Sequence, residues 1–199
     1  MPLRPTFVLS VEMEELGIQA GLQDRVIQVY EGCMYMDFNR LSVEERGYGD
    51  YSRLPCSSLP PLWLAYVANP SNSGKIHSDV KARWKAGDAA VLEAMQQFGR
   101  FTDIARDALL VKDWAALGKA MNDNFALRRR IYGDACLGAD NLKMISIASE
   151  LGVPAKFSGS GGAVLGMCTE AATLEALKAS YASNGFEFVE LTPHEQATK

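Results

Sequence analysis

Pro154-Ala155-Lys156-Phe157-Ser158-Gly159-Ser160-Gly161-Gly162-Ala163-Val164-Leu165-Gly166 is the most informative stretch of the chain. A helical pattern runs into it, and apolar residues suited to a strand run out of it. Its centre, Ser158–Gly162, holds only glycine and serine, and such a run loses much conformational freedom when it is ordered. An ordered run of this kind either reverses the backbone between two strands or brings main-chain N–H groups close to a bulky anion. The glycines alone leave both interpretations open.

The composition is that of a globular protein without a membrane or nucleic-acid partner. Of 199 residues, 48% are hydrophobic and 22% are charged, which is ordinary for a globular domain. The net charge of −4 gives no overall attraction to nucleic acid or anionic lipid, so any anion site must be local. No apolar run approaches the roughly 20 residues of a membrane span, and the first residues lack a secretory pattern. We therefore expect a cytoplasmic protein. Its four cysteines are widely spaced and indicate reduced thiols rather than a zinc site.

Apolar periodicity predicts a chain that mixes helices and strands without strict alternation, which favours the α+β class. Helical spacing is found over residues 6–16, 19–31, a segment with Val80 and Trp84, 88–110, 113–132, 139–151 and 170–183. Strands are predicted over 33–38 and 62–67, from the glycine-rich run to Cys168, and over 186–191. Residues 39–60 are predicted to be rich in loops.

Two motifs, far apart in the chain, together resemble the GHMP small-molecule kinases. Ala20-Gly21-Leu22-Gln23-Asp24-Arg25 with Tyr30-Glu31-Gly32 is similar to the second signature of that family, and Lys156–Ala163 is similar to the third. The intervening sequence resembles plant-type glucuronokinase more closely than other members. The stretches that carry this resemblance are Asn69–Ser78, Asn124–Arg130 and Gly133–Ala139.

The resemblance implies a GHMP kinase C-terminal domain, a ferredoxin-like sheet with packed helices, preceded by the end of the N-terminal domain. Residues 1–60 are then a remnant of the N-terminal domain that carries the aspartate motif, 61–191 are the C-terminal domain, and 192–199 are a tail. The family's first signature, a glycine loop that wraps the ATP phosphates, has no counterpart before Asp24. The expectation is a truncated protein: a fragment, a truncated gene model or one subunit of a split enzyme. It would be inactive alone and would either pair with a separate N-terminal half or self-associate.

By resemblance, the reaction is the transfer of phosphate from ATP, with Mg²⁺, to the anomeric hydroxyl of D-glucuronate. The main Mg²⁺ ligands would lie in the N-terminal half. Asp24 matches the catalytic aspartate of the second signature, and Ser158, Gly159, Ser160, Gly161 and Gly162 match the phosphate-binding loop. From spacing alone, Asp24 is equally an acid in the first turn of a helix, where the dipole favours negative charge.

Glucuronate is an anion, so its kinase needs a cation near the carboxylate. The predicted substrate-binding residues are Gly21, Arg25, Lys75 and Arg128. For each basic residue, a surface salt bridge or a solvated charge is the structural alternative. Two other functions stay open: a kinase of the same family that acts on an uncharged sugar such as galactose, fucose or arabinose, and a module without catalysis that binds a sugar or a partner.

Overall fold

A computed structural model of the chain describes residues 2–17, 20–68 and 78–194. The polypeptide forms two compact units. The first runs to Ser58 and includes the residues from Pro193 onward, and the second is Leu59–Thr192. None of the described helices combines the length and the apolar character needed to cross a bilayer.

The described part of the first unit is a small assembly of helices with a two-stranded antiparallel sheet. In chain order its elements are α1 (Arg4–Ser10), a π-helical segment (Val11–Glu15), α2 (Leu22–Tyr30), β1 (Cys33–Asp37), α3 (Arg40–Arg46), β2 (Asp50–Leu54) and a 3₁₀ turn (Cys56–Ser58). The predicted first helix is confirmed and ends before Gly17, which has a φ of 65°. The second begins at Leu22 because extended backbone at Gly21 precedes it.

The prediction of loop over residues 39–60 is wrong, since α3 and β2 lie within it. The Asn39 side chain caps α3 by accepting hydrogen bonds from the amides of Leu41 and Ser42, at 3.0 and 3.4 Å. Gly47 ends the helix in the left-handed region, with a φ of 77°. Strand β2 carries little apolar alternation of its own and is defined by its pairing with β1.

The second unit contains a four-stranded antiparallel sheet. Its elements are β3 (Leu62–Tyr66), α4 (Ser78–Lys85), α5 (Ala89–Val111), α6 (Trp114–Tyr132), α7 (Asp134–Leu137), α8 (Ala139–Glu150), β4 (Ala155–Phe157), β5 (Ala163–Met167), α9 (Ala171–Ser183) and β6 (Glu187–Leu191). The strand order β4-β5-β3-β6, with helices between β3 and β4 and between β5 and β6, is the ferredoxin-like arrangement. The predicted fold class is confirmed.

The main core lies on one face of this sheet, under α8 and α9. Trp63 and Tyr181 are fully buried, with ring centroids 5.4 Å apart, and the Phe188 ring stacks on Trp63 at 5.5 Å. The Tyr181 hydroxyl donates to the Met144 carbonyl at 2.7 Å, which satisfies its one buried polar group. Gly166 lies opposite Trp63 in the β3–β5 register and leaves room for the indole.

Candidate functional site

The glycine-rich run is the turn of a β-hairpin. It joins β4 to β5, and the Ser158 amide donates to the Ala163 carbonyl at 3.3 Å. Gly161 and Gly162 have φ values of 146° and 79°, which L side chains adopt only with strain. The backbone-reversal interpretation of the sequence is therefore realised, and it leaves the second interpretation, an anion cradle, open.

Side chains from two helices hold the hairpin turn at separate points. The Asn141 side chain on α8 accepts a hydrogen bond from the Gly162 amide at 2.7 Å. Arg128 on α6 donates from Nη2 to the Ser160 carbonyl at 3.2 Å. The Gly162 carbonyl accepts from the Val67 amide, just beyond β3, at 3.0 Å. The turn is thus fixed to the sheet and to both helices.

Within the turn, the amides of Gly159, Ser160 and Gly161 meet no acceptor among the described residues. Gly159 is exposed, and Ser160 and Gly161 are half-buried. Successive main-chain N–H groups in such a turn form a concavity that favours an anion. These three amides are therefore available as donors to an anion.

Arg128 contributes a desolvated positive charge beside the turn. Its guanidinium carbon lies 5.1 Å from the centroid of the Tyr132 ring and 5.0 Å from that of Phe157, which are cation–π distances. Its Nε atom is buried without a hydrogen-bond partner in the described part of the chain, and burial lowers the pKa of Arg128. No carboxylate of the described residues lies within salt-bridge distance of it.

The residues of the second signature lie in the first unit, at the start of α2. Gly21 is the residue before the helix, and Asp24 falls in its first turn with a side chain 74% exposed. The Arg25 side chain is only 12% exposed and forms ion pairs with Glu12 and, at 3.2 Å, with Asp24. Its bond to Glu12 is the largest cause of a raised Arg25 pKa. Whether Asp24 and the glycine turn face one cleft stays a prediction.

Lys75 is the remaining predicted cation, and Arg83 and Arg129 are two further basic residues of the chain. Lys75 lies outside the described residues. Arg83 bonds to Asp88 at 2.9 Å and to the Ile131 carbonyl at 3.1 Å. Arg129 binds Asp134 through two hydrogen bonds of 2.6 Å. The structural alternative therefore accounts for Arg83 and Arg129, whereas Arg128 is held by rings and a carbonyl.

Comparison with known proteins identifies the domain that holds the turn. Residues 105–186 match the family model described as GHMP kinases C terminal. The chain carries a GHMP kinase C-terminal domain. The match runs from the second half of α5 to the end of α9, and so includes Arg128, Asn141 and the whole glycine turn.

Two curated relatives extend the likeness beyond the GHMP kinase C-terminal domain. Glucuronokinase 1 of Arabidopsis thaliana is 49% identical over 168 residues, which are 84% of this chain and 46% of that protein. Probable glucuronokinase 2 of the same species is 45% identical over 195 residues, 96% of this chain and 53% of that protein. The chain therefore spans about half the length of the curated relatives it matches.

The fold recurs in a solved structure of low sequence identity. The crystal structure of a Lin0012 protein from Listeria innocua superposes with a TM-score of 0.77 at 16% identity, covering 96% of this chain and 58% of that one. At such identity the likeness establishes the shared fold alone.

Sequence reasoning missed Asn141 and gave Lys156 no role of its own. Asn141 lies 21 positions before Gly162, whose amide it binds, and no local spacing reveals this contact. Lys156 is part of the third signature, and its Nζ donates to the Phe157 carbonyl at 2.7 Å. Its position in β4 points it away from the core residues Ala155 and Phe157.

Proposed function

We propose that the chain is the C-terminal portion of a glucuronokinase, which transfers a phosphoryl group from ATP to the anomeric hydroxyl of D-glucuronate. The products are glucuronate 1-phosphate and ADP. Identities of 49% and 45% to the two relatives named glucuronokinases support this assignment. The observation that carries it is the row of amides at Gly159, Ser160 and Gly161, which meet no acceptor in the described part of the chain.

The glycine turn would act on the transferring phosphate. Phosphoryl transfer spreads negative charge over the oxygens of the moving group, so catalysis depends on donors already held in position. Asn141 holds the Gly162 amide and Arg128 holds the Ser160 carbonyl, and the amides of Gly159, Ser160 and Gly161 would meet those oxygens. Because the turn is already tied down, ordering it on binding costs little.

Asp24 would act on the sugar. A carboxylate beside the anomeric hydroxyl can orient it and take its proton as the new O–P bond forms. The Asp24 side chain is exposed and carries one ion pair, with Arg25, so it keeps acceptor capacity for a hydroxyl group. Gly21, directly before α2, brings bare backbone next to the same position.

Among the described candidates for the glucuronate carboxylate, Arg128 is better suited than Arg25. Arg25 is already neutralised by Glu12 and Asp24. The Nε donors of both arginines are unpaired among the described residues, but Arg128, unlike Arg25, has no acidic partner there. A desolvated guanidinium without an anionic partner gains most from a carboxylate ligand. Lys75 is a further candidate on resemblance alone.

The remaining half of the catalytic machinery would come from polypeptide equivalent to the part of the relatives that the chain does not match. That part would bind the rest of ATP, and Mg²⁺ would neutralise phosphate charge there. The described residues contain no group of three or more His, Cys, Asp or Glu side chains that could hold a metal.

The decisive experiment joins the chain to the unmatched part of Glucuronokinase 1 and measures ADP release with glucuronate, galactose, fucose or arabinose as acceptor. We expect turnover with glucuronate, no more than background with the neutral sugars, and negligible activity of the chain alone. Asp24→Asn should abolish turnover. Asp79→Asn is the matched control, because Asp79 is also in the first turn of a helix and is 76% exposed.

Equal losses in the two aspartate variants would refute the catalytic role of Asp24. Preferred turnover of a neutral sugar would refute glucuronate as the substrate. Steady turnover by the chain alone, lost in Asp24→Asn, would show that the second half is not required.

A further inference from the structure

A groove in the second unit lies apart from the glycine turn, between α5, α6 and the face of the sheet opposite the main core. Leu62 and Leu165 line it from β3 and β5, and Leu109, Leu117 and Met121 line it from the two helices. Its volume is about 260 Å³. A cavity of about 150 Å³ accommodates benzene, and sites for drug-sized ligands begin near about 300 Å³. The groove therefore suits a small molecule with an apolar body.

One charged side chain, Lys156, lies among the described residues that line this groove. Its ammonium group donates to the Phe157 carbonyl at 2.7 Å, which uses one of its three donors. No carboxylate of the described residues lies within salt-bridge distance of it. Burial, and secondarily the charge of Arg128, lower the pKa of Lys156. The apolar groove thus contains a cation that has no anionic partner in the described structure.

We propose that this groove binds a small amphiphilic carboxylate, with its apolar body against the leucines and its carboxylate on Lys156. A carboxylate would offset the cost of holding the ammonium group in low-dielectric surroundings. A sugar acid is disfavoured here, because most of its hydroxyl groups would lie against apolar walls, and Thr102 and Asn124 are the only uncharged polar side chains among the described lining residues. An organic cation is repelled by Lys156 and Arg128. The occupant is therefore of a different chemical class from glucuronate, and the proposal does not depend on the proposed function.

The position of Lys156 connects the groove to the glycine turn, since only Phe157 separates it from Ser158. An occupant that draws the ammonium group away from the Phe157 carbonyl would change the hydrogen bonding of the last residue of β4. The amides of the turn are therefore a second readout of binding, independent of the heat of association.

The test is titration of the full 199-residue chain with 3-phenylpropanoate, its neutral amide and 3-phenylpropylammonium, by calorimetry and by amide chemical shifts. We expect saturable binding of the carboxylate. Loss of a charge-assisted hydrogen bond should weaken binding about tenfold or more, in the amide and in Lys156→Met. Lys156→Arg should restore most of the affinity. The matched control is Lys119→Met, which removes the same charge from a side chain that is 75% exposed and paired with Asp123. This variant should bind the carboxylate normally.

A second variant keeps the test valid if Lys156→Met does not fold. Ala105→Phe fills the groove from α5 and should abolish binding while leaving Lys156 in place. The proposal is overturned if the amide binds as tightly as the carboxylate, if Ala105→Phe binds normally, or if no saturable binding is seen. Unchanged affinity in a folded Lys156→Met variant would overturn it as well.

Discussion

Substitution of Gly166 by alanine tests whether the core under the glycine turn is as tightly packed as the structure indicates. A Cβ atom at this position would lie 2.1, 2.4 and 2.8 Å from Cζ2, Cε2 and Cη2 of Trp63. Carbon atoms in contact prefer about 3.5–4.0 Å, so the indole would have to retreat by more than about 1 Å. Trp63 is fully buried and lies against Tyr181 and Phe188, which leaves it little room to move.

The expected cost follows from these distances. Overpacking a core destabilises by about 1–3 kcal/mol, and sometimes more. Because the clash involves three atoms of a rigid ring, we expect the upper end of that range. Replacement of glycine in a strand returns about 0.5–1 kcal/mol of backbone entropy, so the net loss should be about 2 kcal/mol. The free energy of unfolding is measured by urea titration followed by circular dichroism.

Two comparisons make the result specific to Trp63. Gly99→Ala, within α5, places its Cβ where no atom lies within 4 Å, and it should stabilise the protein by about 0.5–1 kcal/mol. In a Trp63→Phe background, which removes the crowding atoms, Gly166→Ala should cost clearly less. An undiminished cost in that background, or wild-type stability of Gly166→Ala itself, would refute the packing argument.

Two further predictions concern pH. Burial raises the pKa of Tyr181, so its stabilising contribution is complete below the tyrosine pKa of the unfolded chain, about 10, and is lost as the pH rises above that value. Tyr181→Phe should therefore be less stable than wild type by about 1 kcal/mol at neutral pH, with a deficit that shrinks in urea titrations above about pH 10; a constant deficit would contradict this. The bond to Arg83 lowers the pKa of Asp88. The contribution of Asp88 to the stability of the fold is therefore present above the aspartate pKa of the unfolded chain, about 4, and is lost as the pH falls through its pKa in the folded chain. Asp88→Asn keeps the cap on α5 but loses the charge. The difference in Tm between this variant and wild type should therefore vanish on acidification. A difference that persists in acid would argue against the ion pair.

Local pattern was sufficient for most of the fold but not for elements that depend on distant partners. The predicted helices of 88–110 and 113–132 are found as Ala89–Val111 and Trp114–Tyr132, because each has apolar spacing and an aspartate cap. Strand β2 was missed because its identity comes from pairing with β1 rather than from its own sequence. Strand β4 is only three residues long, too short for any periodicity to be visible.

In the candidate site, too, local motifs are visible in the sequence but contacts between distant residues are not. The glycine turn and Asp24 were recognised from motifs, because those residues are close together in the sequence. The contacts that hold the turn join residues 32 and 21 positions apart, Arg128 to Ser160 and Asn141 to Gly162. Arg128 was selected for its charge, but its stacking between two rings could not be predicted from sequence. Asn141 has no charge or motif to mark it, and only the folded chain reveals its contact.

The two interpretations of the glycine-rich run, a hairpin turn and an anion cradle, require the same backbone. A tight turn needs positive φ, which Gly161 and Gly162 supply, and such a turn directs successive N–H groups outward on one side. In an ordinary hairpin those groups point into solvent, and nothing fixes their direction. Here Asn141 holds the Gly162 amide and Arg128 holds the Ser160 carbonyl, so side chains outside the hairpin restrain the turn without a ligand. Under the proposed function, the restrained turn would receive phosphate oxygens with its unpaired amides.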